Sequence, residues 1–172
     1  MNLSNDNFEN FFMNKISQEE LLSKMECNSP RFEIILKEEL EKTILNKNGI
    51  RLEYLIYTIF LTEENININF YVDLLNQLII CKWHEQHENI AMLLQKIHSP
   101  SSVIYLKKAI YMHPQYLQWD DNYAFEVKCI WALGNIKNFE AKEVLDQVSR
   151  DTNIILSQNA KKQLETFAHM TI

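Results

Sequence analysis

The sequence predicts an all-α chain built by stacking antiparallel helical pairs. Three observations carry this. Among 172 residues only two are Gly and three are Pro, a composition of long helices joined by tight links. Apolar residues recur at i, i+3, i+4, i+7, the spacing of a helix with one buried face, and no segment shows the convincing alternation of a strand. The Ile/Asn alternation over 65–70 is short and lies between two helical patterns. Finally, the apolar register repeats along the chain. A shift of 39 residues places Leu94 on Leu133, Ile97 on Ile136, Leu106 on Leu145 and Ala109 on Val148. A shift of 38 places Leu55, Ile56 and Ile59 on Leu93, Leu94 and Ile97, and one of 31 places Cys129, Leu133 and Ile136 on Ala160, Leu164 and Phe167. A helical pair cannot bury its apolar face alone, whereas stacked neighbours can.

Taken in order, the chain opens on a polar, Asn-rich lead. Ser17-Gln18-Glu19-Glu20 is a capping box that starts a helix through Leu21, Leu22 and Met25. Ser29-Pro30 is a second start signal, for a helix carrying Phe32, Leu36, Leu40 and Ile44, which Asn48-Gly49 ends. The next helix, 50–61, carries Leu52, Leu55, Ile56, Ile59 and Phe60, with Tyr54 and Tyr57 widening its apolar face. After a polar turn at 62–69, a helix over 70–82 carries Tyr71, Leu74, Leu75, Leu78 and Ile79. The helix over 86–97 carries Ile90, Ala91, Leu94 and Ile97, and the one capped by Ser99-Pro100 carries Val103, Leu106, Ala109 and Ile110. His113-Pro114 stops it, and 114–122 is a break. The pair over 125–150 follows, Cys129, Ala132, Leu133 and Ile136 facing Ala141, Val144, Leu145 and Val148 across the Lys137-Asn138 turn. A last helix holds Ala160, Leu164, Phe167 and Ala168. One repeat domain over 1–172 is expected, with 1–48 as N-terminal cap, three helical pairs over 49–150, and 151–172 as C-terminal capping helix.

The segment WALGNIKNFEAKEVL resembles the HEAT repeat, particularly the short variety seen in phycobilisome lyases. Ala132, Leu133, Gly134, Ile136 and Ala141 match the unit, in which a helix ends in Ala-Leu-Gly-x-Ile/Leu and a second begins with an Ala near its start. The match covers about 25 residues; the unit at 88–110 has Gln95 in place of the Gly, and the Asp/Arg ladder of longer HEAT proteins is absent. The resemblance implies architecture, a right-handed α-solenoid of HEAT-like pairs, rather than activity. Ala132 and Gly134 are expected to let neighbouring helices approach closely.

Charge and motifs narrow the function. The net charge of −6 disfavours nucleic acid, which calls for a basic stripe; Lys107-Lys108 and Lys161-Lys162 are too sparse for a phosphate track. The segment MNLSNDNFENF has neither the basic nor the apolar region of a secretory signal, and no apolar run approaches the roughly 18 residues of a membrane span, so a soluble cytoplasmic protein is expected. Cys27, Cys81 and Cys129 lie far apart and read as reduced thiols. The pairs Glu19-Glu20, Glu38-Glu39 and Glu63-Glu64 lack the apolar flanks of an acid/base pair. His84 and His87, in WHEQH, are at i, i+3 rather than in a HExxH pattern and have no third ligand nearby. They read as part of a solvated, acid-rich helix start, with no metal expected. Neither a Gly-rich phosphate loop nor GxSxG occurs, and neither catalysis nor a cofactor is expected.

The stretch YMHPQYLQWDDNY differs from the rest. Tyr111, Tyr116, Trp119, Asp120, Asp121 and Tyr123 fall where the repeat spacing swells, outside the apolar register. Two readings remain: an interface for a basic protein partner, or a plug in which Tyr116, Leu117 and Trp119 fill a gap between pairs. Small acidic HEAT-like proteins resemble the immunity proteins of bacterial toxin systems such as contact-dependent growth inhibition. A non-enzymatic scaffold that binds and neutralises a toxin domain is therefore the expected function. The alternatives are a HEAT-like DNA glycosylase, which needs a basic concave face, and a lyase or chaperone for a bilin-type chromophore, which needs a deep aromatic pocket.

Overall fold

In the computed structural model, residues 3–167 are described. They contain ten α-helices: α1 Asn5–Phe12, α2 Gln18–Met25, α3 Phe32–Asn46, α4 Gly49–Thr62, α5 Val72–Leu78, α6 His87–Ile97, α7 Val103–Ile110, α8 Ala124–Ile136, α9 Phe139–Val148 and α10 Ile154–Phe167. Three 3-10 turns lie at Ile68–Tyr71, Pro100–Ser102 and Gln115–Leu117. The chain is all-helical, with 72% helix and no strand among the described residues. None of these helices is long and apolar enough to cross a membrane.

Helix starts follow local chemistry. The capping box forms as expected: Ser17 Oγ accepts from the Glu20 N–H at 3.1 Å and Glu20 Oε2 from the Ser17 N–H at 2.8 Å. Asn48, Asn138 and Asn153 each accept an N–H bond two or three residues on, from Arg51, Ala141 and Ile155, which satisfies donors the first helical turn leaves open. Two expected starts shift. Ser29-Pro30 forms a turn ahead of α3, which begins at Phe32, and Ser99-Pro100 opens a 3-10 turn ahead of α7.

Helix ends depart further from expectation. Gly49 does not close α3; it is the first residue of α4. Lys47 takes the left-handed conformation instead, with φ 49°, and Asn48 caps the helix that follows. Glu26, His98 and Lys137 end α2, α6 and α8 in the same conformation. With glycine so scarce, side-chain-bearing residues occupy the positions that Gly ordinarily fills, at a cost of roughly 1–2 kcal/mol each.

By internal contacts the chain divides into two compact units, residues 1–68 and 69–172. In the first, α3 packs on α4 and α1 touches both α2 and α4. The buried face of α3 is Phe32, Leu36, Leu40 and Thr43, not Ile44. At 3.6 residues per turn, position i+11 returns to the stripe that i+12 overshoots. Thr58 and Thr62 are buried in α4, their hydroxyls donating to the carbonyls of Tyr54 and Thr58 at 2.8 Å each. Arg51 of α4 bonds Glu39 of α3 at 2.8 Å, Asn5 Oδ1 at 3.0 Å and the Leu3 carbonyl, pinning the N-terminal segment.

In the second unit, α8 is the central helix. It lies against α6, α7, α9 and α10, while α10 also packs on α9, α7 touches α9, and α5 meets α6 and α7. Phe125, Cys129, Ile130, Ala132, Leu133, Gly134 and Ile136 of α8 are all buried. The expected inward faces of α6, α7 and α9 are buried as read. In α10 the buried residues are Leu156, Ser157, Ala160 and Gln163, so Leu164 and Phe167 sit at the margin and Ala168 lies outside the described residues. Gly134 is a point of close approach: a Cβ there would sit 2.0 Å from Gln163 Oε1. Within the two units, α4 packs on α3, and α5 on α6 and α7. The link after α4 is held back toward α3, with the Asn67 N–H donating to Glu33 Oε1 at 3.0 Å.

Candidate functional site

The site is built from the α7–α8 connection, residues 111–123, and the α5–α6 connection beneath it. The α5 end is capped by imidazoles. His84 Nε2 lies 2.9 Å from the Leu78 carbonyl and His87 Nε2 2.7 Å from the Cys81 carbonyl. Because a carbonyl only accepts, both Nε2 atoms carry the proton. His84 Nδ1 then accepts from the Gln86 N–H at 3.1 Å, and His87 Nδ1 from the Tyr116 hydroxyl at 3.1 Å. The two rings stack with centroids 4.3 Å apart, and both side chains are buried. This corrects the expectation of a solvated helix start. Burial pushes His84 down to about 4, with the neighbouring His87 adding to the shift, and burial likewise lowers His87. Each ring nitrogen already has a partner, so no lone pair faces outward for a metal, and no group of three or more metal-ligating side chains gathers among the described residues.

Tyr116 belongs to this buried arrangement. Its ring stacks on His87 with centroids 5.6 Å apart, and burial raises its hydroxyl to about 12. Packing and a hydrogen bond account for the place of this side chain.

The other end of the connection is held by acids. Asp120 accepts from the Ala124 N–H at 2.7 Å through Oδ2 and from the Asn122 N–H at 3.0 Å through Oδ1. It supplies the cap of α8 that Tyr123, at the N-cap position, does not. Glu126, in the first turn of α8, is buried and bonds His113 Nδ1 at 2.7 Å. Burial raises the Glu126 carboxyl, and the nearby His113 offsets this only in part. His113 and Tyr123 both hold left-handed backbone, φ 45° and 54°, and their rings meet edge to face at 5.9 Å. Left-handed Tyr is uncommon, and two such residues in one connection mark a conformation held by its surroundings. A cavity of ≈ 260 Å³ is lined by His113, Leu117, Asp120, Asp121, Tyr123 and Glu126, together with Gln118.

Between these anchors the connection projects outward. Trp119 is 84% exposed and Tyr111 51% exposed, and Asp121 is exposed as well. Of the six residues singled out from sequence, Trp119, Tyr111 and Asp121 therefore present surface. Tyr116 and Asp120 secure the two ends, and Tyr123 lies half-buried against His113. Sequence reasoning passed over Glu126, whose place in an apolar run (Phe125, Cys129, Ile130) was the available signal. It also misplaced His87, for which the absence of any Gly or polar cap after Leu78 was a signal. No family model, curated protein or solved structure matches the chain.

Proposed function

We propose that the chain is a non-enzymatic protein-binding scaffold, a right-handed HEAT-like α-solenoid acting in the cytoplasm, whose α7–α8 connection receives a basic protein partner. The observation that carries this is Trp119: an indole 84% exposed on a connection anchored on both sides, by Tyr116 to His87 and by Asp120 to the start of α8. An aromatic side chain held out on a pre-ordered backbone offers contact area at low entropic cost. Asp121 beside it, on a chain of net charge −6, favours a cationic partner and speeds encounter. The run in which α6 and α7 meet α8, and α10 meets α8 and α9, is the neighbour-to-neighbour packing that supports the repeat reading. An immunity protein bound to its toxin domain is the kind of complex this surface suits.

The test starts from the gene immediately upstream of the one for this chain: it should encode a toxin C-terminal domain, and that domain should bind the chain. Trp119→Ala should cost about 2 kcal/mol or more of affinity, the scale of a hot-spot truncation. Asp121→Lys should slow association and flatten its salt dependence. Both variants should melt within about 0.5 kcal/mol of the parent, as surface changes do. Full affinity in both variants would place the interface elsewhere and end this reading.

A further inference from the structure

Two buried imidazoles and one tyrosine tie the α5–α6 connection to the α7–α8 connection. The bond from Tyr116 to His87 spans 29 residues of sequence. His84 and His87 can make all their hydrogen bonds only while neutral. Protonating His84 Nδ1 would set its new N–H against the Gln86 N–H, donor facing donor, and that bond would be lost. Protonating His87 Nδ1 would remove the acceptor of the Tyr116 hydroxyl, and two imidazolium rings stacked at 4.3 Å would repel.

We propose that the stacked His84–His87 pair is an acid-sensitive latch: neutral, it holds the α7–α8 connection through Tyr116, and protonated, it releases that connection. If the connection docks a partner, as proposed above, the latch makes that docking pH-dependent; the device itself is a property of the free chain.

The surrounding charges do not offer a compensating partner within the arrangement. On the connection itself, Lys82 and Glu85 line a second cavity, of ≈ 580 Å³, that His84 also borders, and Glu85 is exposed. From α6, Glu88 is engaged by Lys128 of α8. From α8, Glu126 is engaged by His113, and Phe125 meets His87 edge on at 5.3 Å. From the α7–α8 connection come His113 and Tyr116, and Trp83 covers His84 edge on at 5.0 Å. An imidazolium formed here would face rings, a second imidazole, the solvent-exposed Glu85, and two acids already paired, Glu88 and Glu126. Opening to water restores an ordinary histidine pKa near 6.5. Burial that holds His84 near 4 therefore makes opening more favourable as pH falls between those values.

The test is amide hydrogen exchange on the full chain, read as protection factors between pH 7.5 and 4.5. Protection at Gln86 and across 111–123 should fall below pH 6.5 by up to about tenfold per pH unit for one histidine, and more steeply where both take part. Amides of α3 and α4 should hold their protection over the same range. His84→Gln should flatten the pH response at Gln86. Tyr116→Phe should leave Gln86 pH-sensitive while the 111–123 amides become weakly protected at every pH. Protection at 111–123 that is unchanged across the range in the parent chain would overturn the latch, as would a loss shared equally by α3 and α4. Neither result depends on a partner, so failure of the latch is distinct from failure of the docking proposal.

Discussion

Replacing Gly134 puts the close approach of α8 and α10 to a quantitative test. A Cβ at this position would lie 2.0 Å from Gln163 Oε1, 2.7 Å from Cδ and 2.9 Å from Cγ. Contact extends to Cγ, so rotating the amide alone does not clear it, and the whole Gln163 side chain has to leave a position that is 6% exposed. Two effects oppose each other in Gly134→Ala. Ala gains about 1 kcal/mol of helix propensity over Gly, whereas displacing a packed side chain costs about 1–3 kcal/mol. The variant should be between unchanged and roughly 2 kcal/mol less stable. Gly134→Leu, with three further carbons and the same obstruction, should lose about 1–3 kcal/mol, or several degrees of Tm at roughly 2–4 °C per kcal/mol. The decisive measurement is a double-mutant cycle with Gln163→Ala, followed by denaturant unfolding through Trp131, which is on α8 and bonds Asn159 of α10 at 3.1 Å. In the Gln163→Ala background the cost of Gly134→Ala should shrink by about 1 kcal/mol or more and can turn into a gain, since neighbours in contact couple on that scale. If Gly134→Ala stabilises by the full propensity gain in both backgrounds, Gln163 moves without cost and the close-packing argument is wrong.

Asp120→Ala should cost about 1 kcal/mol of stability, because it removes the side-chain acceptor at the start of α8; an unchanged melting curve would assign that acceptor no structural role. For His84 the folded pKa lies below the unfolded value, so its contribution is fully present above pH 6.5 and is lost as pH falls toward 4, by up to about 3 kcal/mol. Glu126, raised by burial, acts with the opposite sign, its contribution falling as pH rises above the ordinary carboxyl range. Stability followed from pH 7.5 to 4 in the parent and in His84→Gln separates the two, and identical slopes would refute the His84 assignment. Metal analysis of the purified chain should find no zinc held one to one, since both nitrogens of both imidazoles are already bonded. One zinc per chain, lost in His84→Ala/His87→Ala, would show that this hydrogen-bonded arrangement is not the resting state.

The sequence by itself determined the helices, most of their inward residues and several of their starts. These depend on interactions no longer than one helical turn: the i, i+3, i+4 spacing that placed Leu52, Leu55, Ile56 and Ile59 inside, and the reach of Ser17 and Asn138 to the next turn's N–H groups. Small errors arose where a local rule had a competitor. In α3 the helical phase buries Thr43 rather than the more hydrophobic Ile44, and Lys47 takes the left-handed conformation for which glycine is the usual residue rather than the required one. Tertiary structure alone decided which helices pack together and which polar groups lie inside. That α4 packs on α3, and α5 on α6 and α7, turns on the conformation of the links between helices, to which apolar spacing within a helix is blind. A histidine followed by glutamates reads as solvated until a chain segment 29 residues away supplies Tyr116 to complete its hydrogen bonds. A buried polar side chain is stable only when its partners arrive together, and those partners are brought by the fold rather than by neighbours in sequence. For the same reason the six residues of the α7–α8 connection looked alike in sequence, yet the fold divided them: Tyr116 and Asp120 hold the connection, and Trp119 and Asp121 are what it holds out.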